Sequence, residues 1–253
     1  MRVSEIWRYP VKSMAGEQLR EARLTEQGIE GDRVVQVRRP DGKILSARTR
    51  PKLLGHRATT GPDGDPLVDG RPFLSAEVAR DVEAAAGPGA RLVRSHAEDR
   101  FDILPLLIAT DGMIAAVGYD GRRFRPNLVI GGVPGLAERK FEGARLRIGE
   151  VVIGMEDLRT RCIMTTFDPD TGKQDLGVLR RIQKEFNSRL GLNSYVIAPG
   201  RIAVGDAVEL IFPSSQTLSA ARAPRVPVNE KPFPRHFWKG RLKYAGLHYR
   251  CRD

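Results

Sequence analysis

The sequence predicts a mostly β protein (α+β), a β-barrel with a few helices added, and three observations point there. Its apolar runs are short and alternate with polar residues, turn clusters of Gly, Pro, Asn and Asp separate them at regular intervals, and three segments only carry helical spacing. An alternating βαβ pattern, an internal repeat and a heptad are all absent from the 253 residues.

From the N-terminus, Val3, Ile6 and Trp7 lead through Tyr9-Pro10-Val11-Lys12-Ser13 to a second strand, Leu19 to Leu24. Gly28 to Arg33 is a turn, and Val34 to Val37 a buried strand. Asp41-Gly42 supplies the positive φ of a tight hairpin before the strand Ile44–Ala47. Gly61 to Pro72 is turn-rich. Val78, Val82 and Ala86 fall four apart, predicting a helix over Ser75–Ala86 with Ser75 as N-cap. Apolar Leu104–Ala109 follows, and Thr110-Asp111-Gly112 can cap a helix reaching Val117. Strands are expected at Leu128–Ile130, Arg145–Ile148 and Val151–Met155, the last two joined by a Gly149-Glu150 turn. Asp168 to Gly172 forms a strong turn, Leu176–Phe186 an amphipathic helix, and Tyr195–Ala198 and Ala207–Phe212 the closing strands. Three regions follow from this pass: 1–100, 101–213 and a basic, aromatic extension, 214–253.

Bulk properties exclude several classes. No run of apolar residues is long enough to cross a membrane, and the N-terminus lacks the apolar core of a signal peptide. Two cysteines, Cys162 and Cys251, do not make a disulfide framework, so a reducing, cytoplasmic setting is expected. The net charge of +11 is unevenly spread: residues 214–253 hold nine Lys/Arg against Glu230 and Asp253, a net of +7, leaving +4 for the rest. Of the 42 basic residues 33 are arginine, so position is more informative than number.

P-loop, dinucleotide and zinc signatures are missing, and the four histidines are scattered. Cys162 stands out. It lies in Arg159-Thr160-Arg161-Cys162-Ile163-Met164-Thr165-Thr166, where two arginines within three residues favour a thiolate, the form that attacks or binds a soft metal. The bland alternative, a small buried hydrophobe, stays open on local sequence. Lys12-Ser13, Gly31-Asp32-Arg33 and Arg125-Pro126-Asn127 each place a cation or amide at a strand end. Loops build sites there, and such groups clamp oxyanions. Taken singly, each stretch reads equally as a salt-bridged turn. The tail's cations and five aromatics suit nucleic acid or an anionic surface, or packing against the barrel or a second subunit.

Together these stretches carry a resemblance. Tyr9-Pro10-Val11-Lys12-Ser13, Gly31-Asp32-Arg33, Phe124 to Ile130, Arg161-Cys162-Ile163-Met164-Thr165-Thr166-Phe167-Asp168-Pro169-Asp170-Thr171-Gly172 and Val204 to Val208 occur in the order found in MOSC proteins. These resemble the C-terminal domain of molybdenum cofactor sulfurase, and the subgroup containing the mitochondrial amidoxime reducing component is the nearest match. The resemblance spans residues 1–212. It implies a MOSC-type β-barrel preceded by an N-terminal β-barrel-like region, whose first strands complete the MOSC barrel.

By motif it implies molybdenum-molybdopterin as cofactor and Cys162 as catalytic residue and metal ligand. Lys12, Ser13, Arg33, Arg125 and Asn127 match positions that hold the pterin and its phosphate, with Thr110, Thr160 and Arg161 added. The implied activity is two-electron reduction of a small N-hydroxylated substrate. The cysteines of a fused iron–sulfur domain are absent, so a separate electron-transfer protein of ferredoxin, flavin or haem type is the expected partner. The family's association with pyridoxal phosphate has no visible Schiff-base lysine motif here. No membrane anchor precedes Arg2, and the tail beyond Phe212 matches nothing in the family. Two other readings stand beside the reductase: a cofactor or sulfur carrier using a Cys162 persulfide, and a nucleic-acid-binding protein acting through the tail, nucleic acid not being the expected partner.

Overall fold

An eight-stranded sheet dominates this computed structural model, which describes residues 1–95 and 100–212. In spatial order its strands are Glu209–Ile211, Arg145–Ile148, Val151–Thr160, Arg189–Ala198, Leu106–Thr110, Leu128–Gly131, Arg2–Arg8 and Glu17–Leu19. Neighbours are antiparallel except Leu106–Thr110 beside Leu128–Gly131. That parallel pair needs a crossover, and the chain makes it through a short helix, Asp111–Val117. The sheet curls until its ends meet. Arg2 bridges Ala207, the Val3 N–H donates to the Asp206 carbonyl at 2.9 Å, and the Val208 N–H donates to the Met1 carbonyl at 2.9 Å. The first strand of the chain thereby completes a barrel made mostly by its second half. Val3, Ile6, Ile108, Ile130, Ile153 and Leu192 share its core, none more than 1% exposed.

A second core belongs to the N-terminal region. There Val35–Arg38 lies between Arg91–Arg94 and Ile44–Leu45, and Pro66–Val68 between Ala58–Thr60 and Arg71–Pro72. Helix Ala76–Ala86 adds Val78, Val82 and Ala86 to the cluster formed with Val35, Val37 and Val68. Ser75 caps this helix, its hydroxyl oxygen accepting from the Val78 N–H at 3.3 Å. Gly42, at φ +83°, turns the expected hairpin. A third core holds Met113 and Val117 together with Val178, Ile182 and Phe186 of helix Leu176–Phe186, the four-apart face that the sequence displays.

Two segments differ from the sequence-based expectation in ways that matter for the site. Val151 does not stop at Met155 but runs to Thr160, its register against Arg189–Ala198 shifting at several points. Such irregularities let a strand pass exposed polar residues, here Glu156 and Asp157, without losing its partner. Cys162 therefore sits two residues beyond the end of a barrel strand. Leu19–Leu24 divides at Arg20, because Glu17–Leu19 pairs with the first strand while Glu21–Thr25 pairs with Gly200–Ala203. The closing strand is shorter than expected, Glu209–Ile211. The 214–253 extension and Cys251 lie outside the described residues.

Candidate active site

A cavity of about 310 Å³ opens where the loops at the ends of these strands converge. Eight of the nine residues expected at a site line it: Lys12, Ser13, Arg33, Arg125, Asn127, Thr160, Arg161 and Cys162. They come from segments up to 150 residues apart in the chain (162 − 12). The cavity wall also carries Arg48, Arg123 and Arg159, so among the described residues seven cations face one carboxylate, Asp102.

One wall is built on Tyr9-Pro10-Val11-Lys12-Ser13. The extended segment runs beside Val35, with the Lys12 N–H donating to the Val35 carbonyl at 2.8 Å and the Val35 N–H to the Pro10 carbonyl at 3.1 Å. Tyr9 is buried, and its hydroxyl donates to the Pro126 carbonyl at 3.1 Å. Its ring lies against two guanidiniums, Arg125 at 4.2 Å and Arg33 at 5.1 Å from the centroid. Burial pushes the Tyr9 hydroxyl pKa up to about 12 despite both arginines, so it stays neutral. Gly16 is required beneath it: a Cβ there would lie 2.3 Å from the Arg8 carbonyl oxygen and 2.5 Å from Tyr9 Cδ1.

Behind that wall is a buried knot. The Asp32 carboxylate, fully buried, accepts from the Tyr9 N–H at 2.7 Å, from Asn127 Nδ2 at 3.2 Å and from the Arg33 guanidinium. Asn127 also donates to the Trp7 carbonyl at 3.3 Å and accepts from the Leu107 N–H at 3.1 Å and Arg33 Nη1 at 3.4 Å. Its amide is thus fully used, two donors and two accepted bonds. Asn127 fixes Arg33 and joins two strands; the cavity receives Arg33.

Ser13, Arg33 and Arg125 all have left-handed backbones, at φ 72°, 53° and 54°. For residues with a Cβ this conformation costs about 1–2 kcal/mol each, and such strain gathers at functional sites. Ser13 Oγ accepts from the Ala47 N–H at 3.0 Å, which holds the neighbouring Arg48 loop in place.

The opposite wall carries the thiol. Cys162 is partly exposed and begins the 3-10 turn Ile163–Thr166, its carbonyl accepting from the Thr165 N–H at 3.1 Å and Thr165 Oγ1 at 2.9 Å. The two threonines after it are thus scaffold, since Thr166 Oγ1 likewise donates to the Ile163 carbonyl at 2.6 Å. The turn Asp168–Gly172 is held by Arg123 Nη2 to Asp168 at 2.8 Å and by Arg122 Nη2 to Asp170 at 2.6 Å. Arg161 donates to the Phe124 carbonyl at 2.6 Å and leaves its Nε buried without a partner among the described residues, as does Arg123.

Charge is concentrated around the sulfur. Arg48 lines the cavity with Cys162 and pairs with Asp102 at 2.7 Å; Lys12 holds the other carboxylate oxygen at 2.8 Å, and Arg159 stands 3.7 Å away. Burial alone would raise the Asp102 pKa, yet Lys12, Arg48 and Arg159 hold it down to about 2. Desolvation pulls Arg125 and Arg161 down to about 10, because no carboxylate pairs with either guanidinium among the described residues. Such a cavity favours a polyanion that brings oxygens to unpartnered N–H groups.

Thr110 is not in the cavity. Its Oγ1 accepts from the Met113 N–H at 3.1 Å as the N-cap of helix Asp111–Val117 and approaches the buried Glu138 at 3.5 Å. Its other expected role, as a helix cap, accounts for the residue. Arg48 and Asp102 carry no sequence signal, being single residues in loops that only the fold brings to Cys162. Arg159 was visible as one of the two arginines before the cysteine, and the structure points it to the cavity.

The chain is similar to known proteins over much of its length. Residues 1–92 match the family described as MOSC N-terminal beta barrel domain, and residues 111–209 match the MOSC domain. The chain is 28% identical over 284 residues to mitochondrial amidoxime-reducing component 1 of Homo sapiens, covering 83% of this chain and 82% of that one. It is 27% identical over 277 residues to human mitochondrial amidoxime reducing component 2, covering 81% and 82%. Among solved structures, the YUAD protein from Bacillus subtilis aligns over 84% of this chain and 96% of its own, with 15% identity and a TM-score of 0.43.

Proposed function

The chain belongs to the MOSC domain family, whose relatives are associated with the molybdenum cofactor, and from that premise we propose that it is an oxidoreductase that reduces N-hydroxylated compounds at a molybdenum held by Cys162. The observation that supports this most is the meeting of one soft donor with a cavity that, among the described residues, carries seven cations and one carboxylate. A thiolate suits molybdenum, and unpartnered guanidinium N–H groups suit the phosphate of a pterin. The residues present fit the group.

When bound, the cofactor supplies two-electron transfer: the N–O bond of the substrate is cleaved, an N–H bond forms and water leaves, consuming two electrons and two protons. The chain's own residues do the rest. Cys162 would ligate the metal through its sulfur, the thiolate being the form that binds a soft metal. Arg125, Arg161 and Arg33 would hold the anionic part, with Lys12, Ser13 and Thr160 along the wall. Asn127 acts through Arg33, whose guanidinium it orients together with Asp32. Electrons would come from a separate electron-transfer protein. Among the described residues no helix is long and apolar enough to cross a membrane.

The test is metal and pterin analysis of protein expressed where cofactor synthesis is intact. The expected result is about one molybdenum and one pterin per chain, bound by these convergent groups, with Cys162→Ala losing the metal. Folded protein free of both, indistinguishable from the variant, overturns the proposal. Cyanide-releasable sulfur on Cys162 without turnover would favour the carrier reading instead.

A further inference from the structure

Not every cation in the cavity is needed to hold a cofactor. The family motifs account for Lys12, Arg33, Arg125 and Arg161, and Arg123 is taken up by Asp168 and the Thr166 carbonyl. Arg48 and Arg159 are left, and both lie on the Cys162 side. Arg48 and Cys162 line the same cavity, while Arg159 is three residues ahead of the cysteine, next to the last residue of the strand Val151–Thr160. Their side chains are also more open than those of Lys12 and Arg33: 44% and 20% exposed against 12% and 16%. That is the aspect a small molecule meets first.

We propose that Arg48 and Arg159 form a substrate subsite beside Cys162 that recognises a carboxylate carried by the N-hydroxylated compound. This deepens, and rests on, the reductase reading. Arg159 is set in position rather than free to swing. Its Nη1 donates to Asn193 Oδ1 at 3.1 Å, and Asn193, 2% exposed, is itself anchored by donating to Asp157 Oδ1 at 2.8 Å. A planar guanidinium held in this way presents a fork that matches a carboxylate. Asp102 shows that the pair accepts such a group, at 2.7 Å from Arg48 and 3.7 Å from Arg159. Yet it serves Lys12 as well, so among the described residues Arg48 and Arg159 have no carboxylate of their own and favour a ligand that brings one. Asn193 is the positioning residue, and Asp102 is the internal group with which a substrate carboxylate shares or competes.

The experiment uses cofactor-loaded full-length protein with a reduced viologen dye as electron donor, and two probes of matched size: a neutral aryl amidoxime and its para-carboxylate. The wild-type protein is expected to favour the carboxylate by about tenfold or more in kcat/KM, mainly through KM, as a charge-assisted pair allows. In Arg48→Gln and Arg159→Gln, KM for the carboxylate rises about tenfold more than KM for the neutral compound, and Arg159→Lys recovers part of the difference. Calorimetry with the carboxylate-bearing amidine product gives the same order without turnover. Equal kinetics and equal binding for the two compounds overturn the subsite and leave the reductase reading intact. A parallel loss of molybdenum from both glutamine variants also overturns it, since the arginines then serve the cofactor. If neither amidoxime is reduced while the carboxylate still binds in an Arg159-dependent way, the reductase reading fails and the subsite stands.

Discussion

Arg122 and Arg125 are three residues apart in one short segment, yet they live in opposite electrostatic worlds. Arg122 makes ion pairs with Asp120 and Asp170, both at 2.6 Å, and these partners raise its pKa. Arg125 lies against the Tyr9 ring, has no carboxylate partner among the described residues, and is pulled down to about 10 by burial. Arg123, between them, faces the cavity but spends its terminal nitrogens on Asp168 and the Thr166 carbonyl. The contrast separates two uses of one side chain. A cation given its counter-ion by the fold is scaffold. A cation desolvated without one is stabilised only when a ligand arrives.

The largest expected effect tests the unpaired member. Arg125→Gln should lower cofactor affinity by about 10- to 100-fold, the worth of a charge-assisted contact to an anion, while the stability of the cofactor-free protein does not fall. Pterin content and thermal unfolding of the same preparation read both halves. If stability drops as far as cofactor content, Arg125 is scaffold and the contrast fails.

Arg123→Ala should reverse that pattern. Removing it frees the Asp168–Gly172 turn and leaves a half-buried carboxylate unpaired, at a cost of about 1–3 kcal/mol in urea unfolding with or without cofactor. The next effect concerns an acid in the same predicament as Arg125. Glu138 is fully buried, its Oε1 has no partner among the described residues, and desolvation raises its pKa. Because the folded-state pKa is raised, its stabilising contribution is complete below the unfolded value near 4.5 and is lost as pH rises through the folded value. Glu138→Gln should therefore flatten the decline of stability above pH ~4.5 and stabilise the protein at neutral pH; a variant no more stable at pH 7 than the parent refutes this. Smallest is Arg122→Ala. Its partners are exposed, so unfolding should shift by about 0–1 kcal/mol, and high salt should erase the difference.

Much of the site was legible in the sequence because its residues lie in short runs with strong local geometry. Tyr9-Pro10 fixes an extended segment, Pro126 separates Arg125 from Asn127, and the Cys162 run ends in a turn that its own Asp168 builds. Helix Ala76–Ala86 was legible from four-apart spacing, Leu176–Phe186 from its amphipathic pattern, and Asp111–Val117 from its cap at Thr110. Other features depend on the tertiary fold. Arg48 and Asp102 meet Cys162 across separations of 114 and 60 residues (162 − 48 and 162 − 102), and no periodicity marks them. The extension of Val151–Thr160 past Met155 was hidden because Glu156 and Asp157 interrupt the apolar pattern, and only the neighbouring strand keeps them in the sheet. Asn127 was visible as a residue, but not as one whose hydrogen bonds are all spent inside the protein.

The closure of the barrel sets an order of events during synthesis. Arg2–Arg8 leaves the ribosome soon before one partner, Glu17–Leu19, but long before the others, Leu128–Gly131 and Ala207. At roughly 5–20 residues per second, this strand waits on the order of 10 to 40 seconds for the last of them. Through that interval the core that Val3 and Ile6 join, both fully buried in the end, is incomplete. Until the final strand appears, this segment is therefore an unpaired, aggregation-prone edge of the newborn chain.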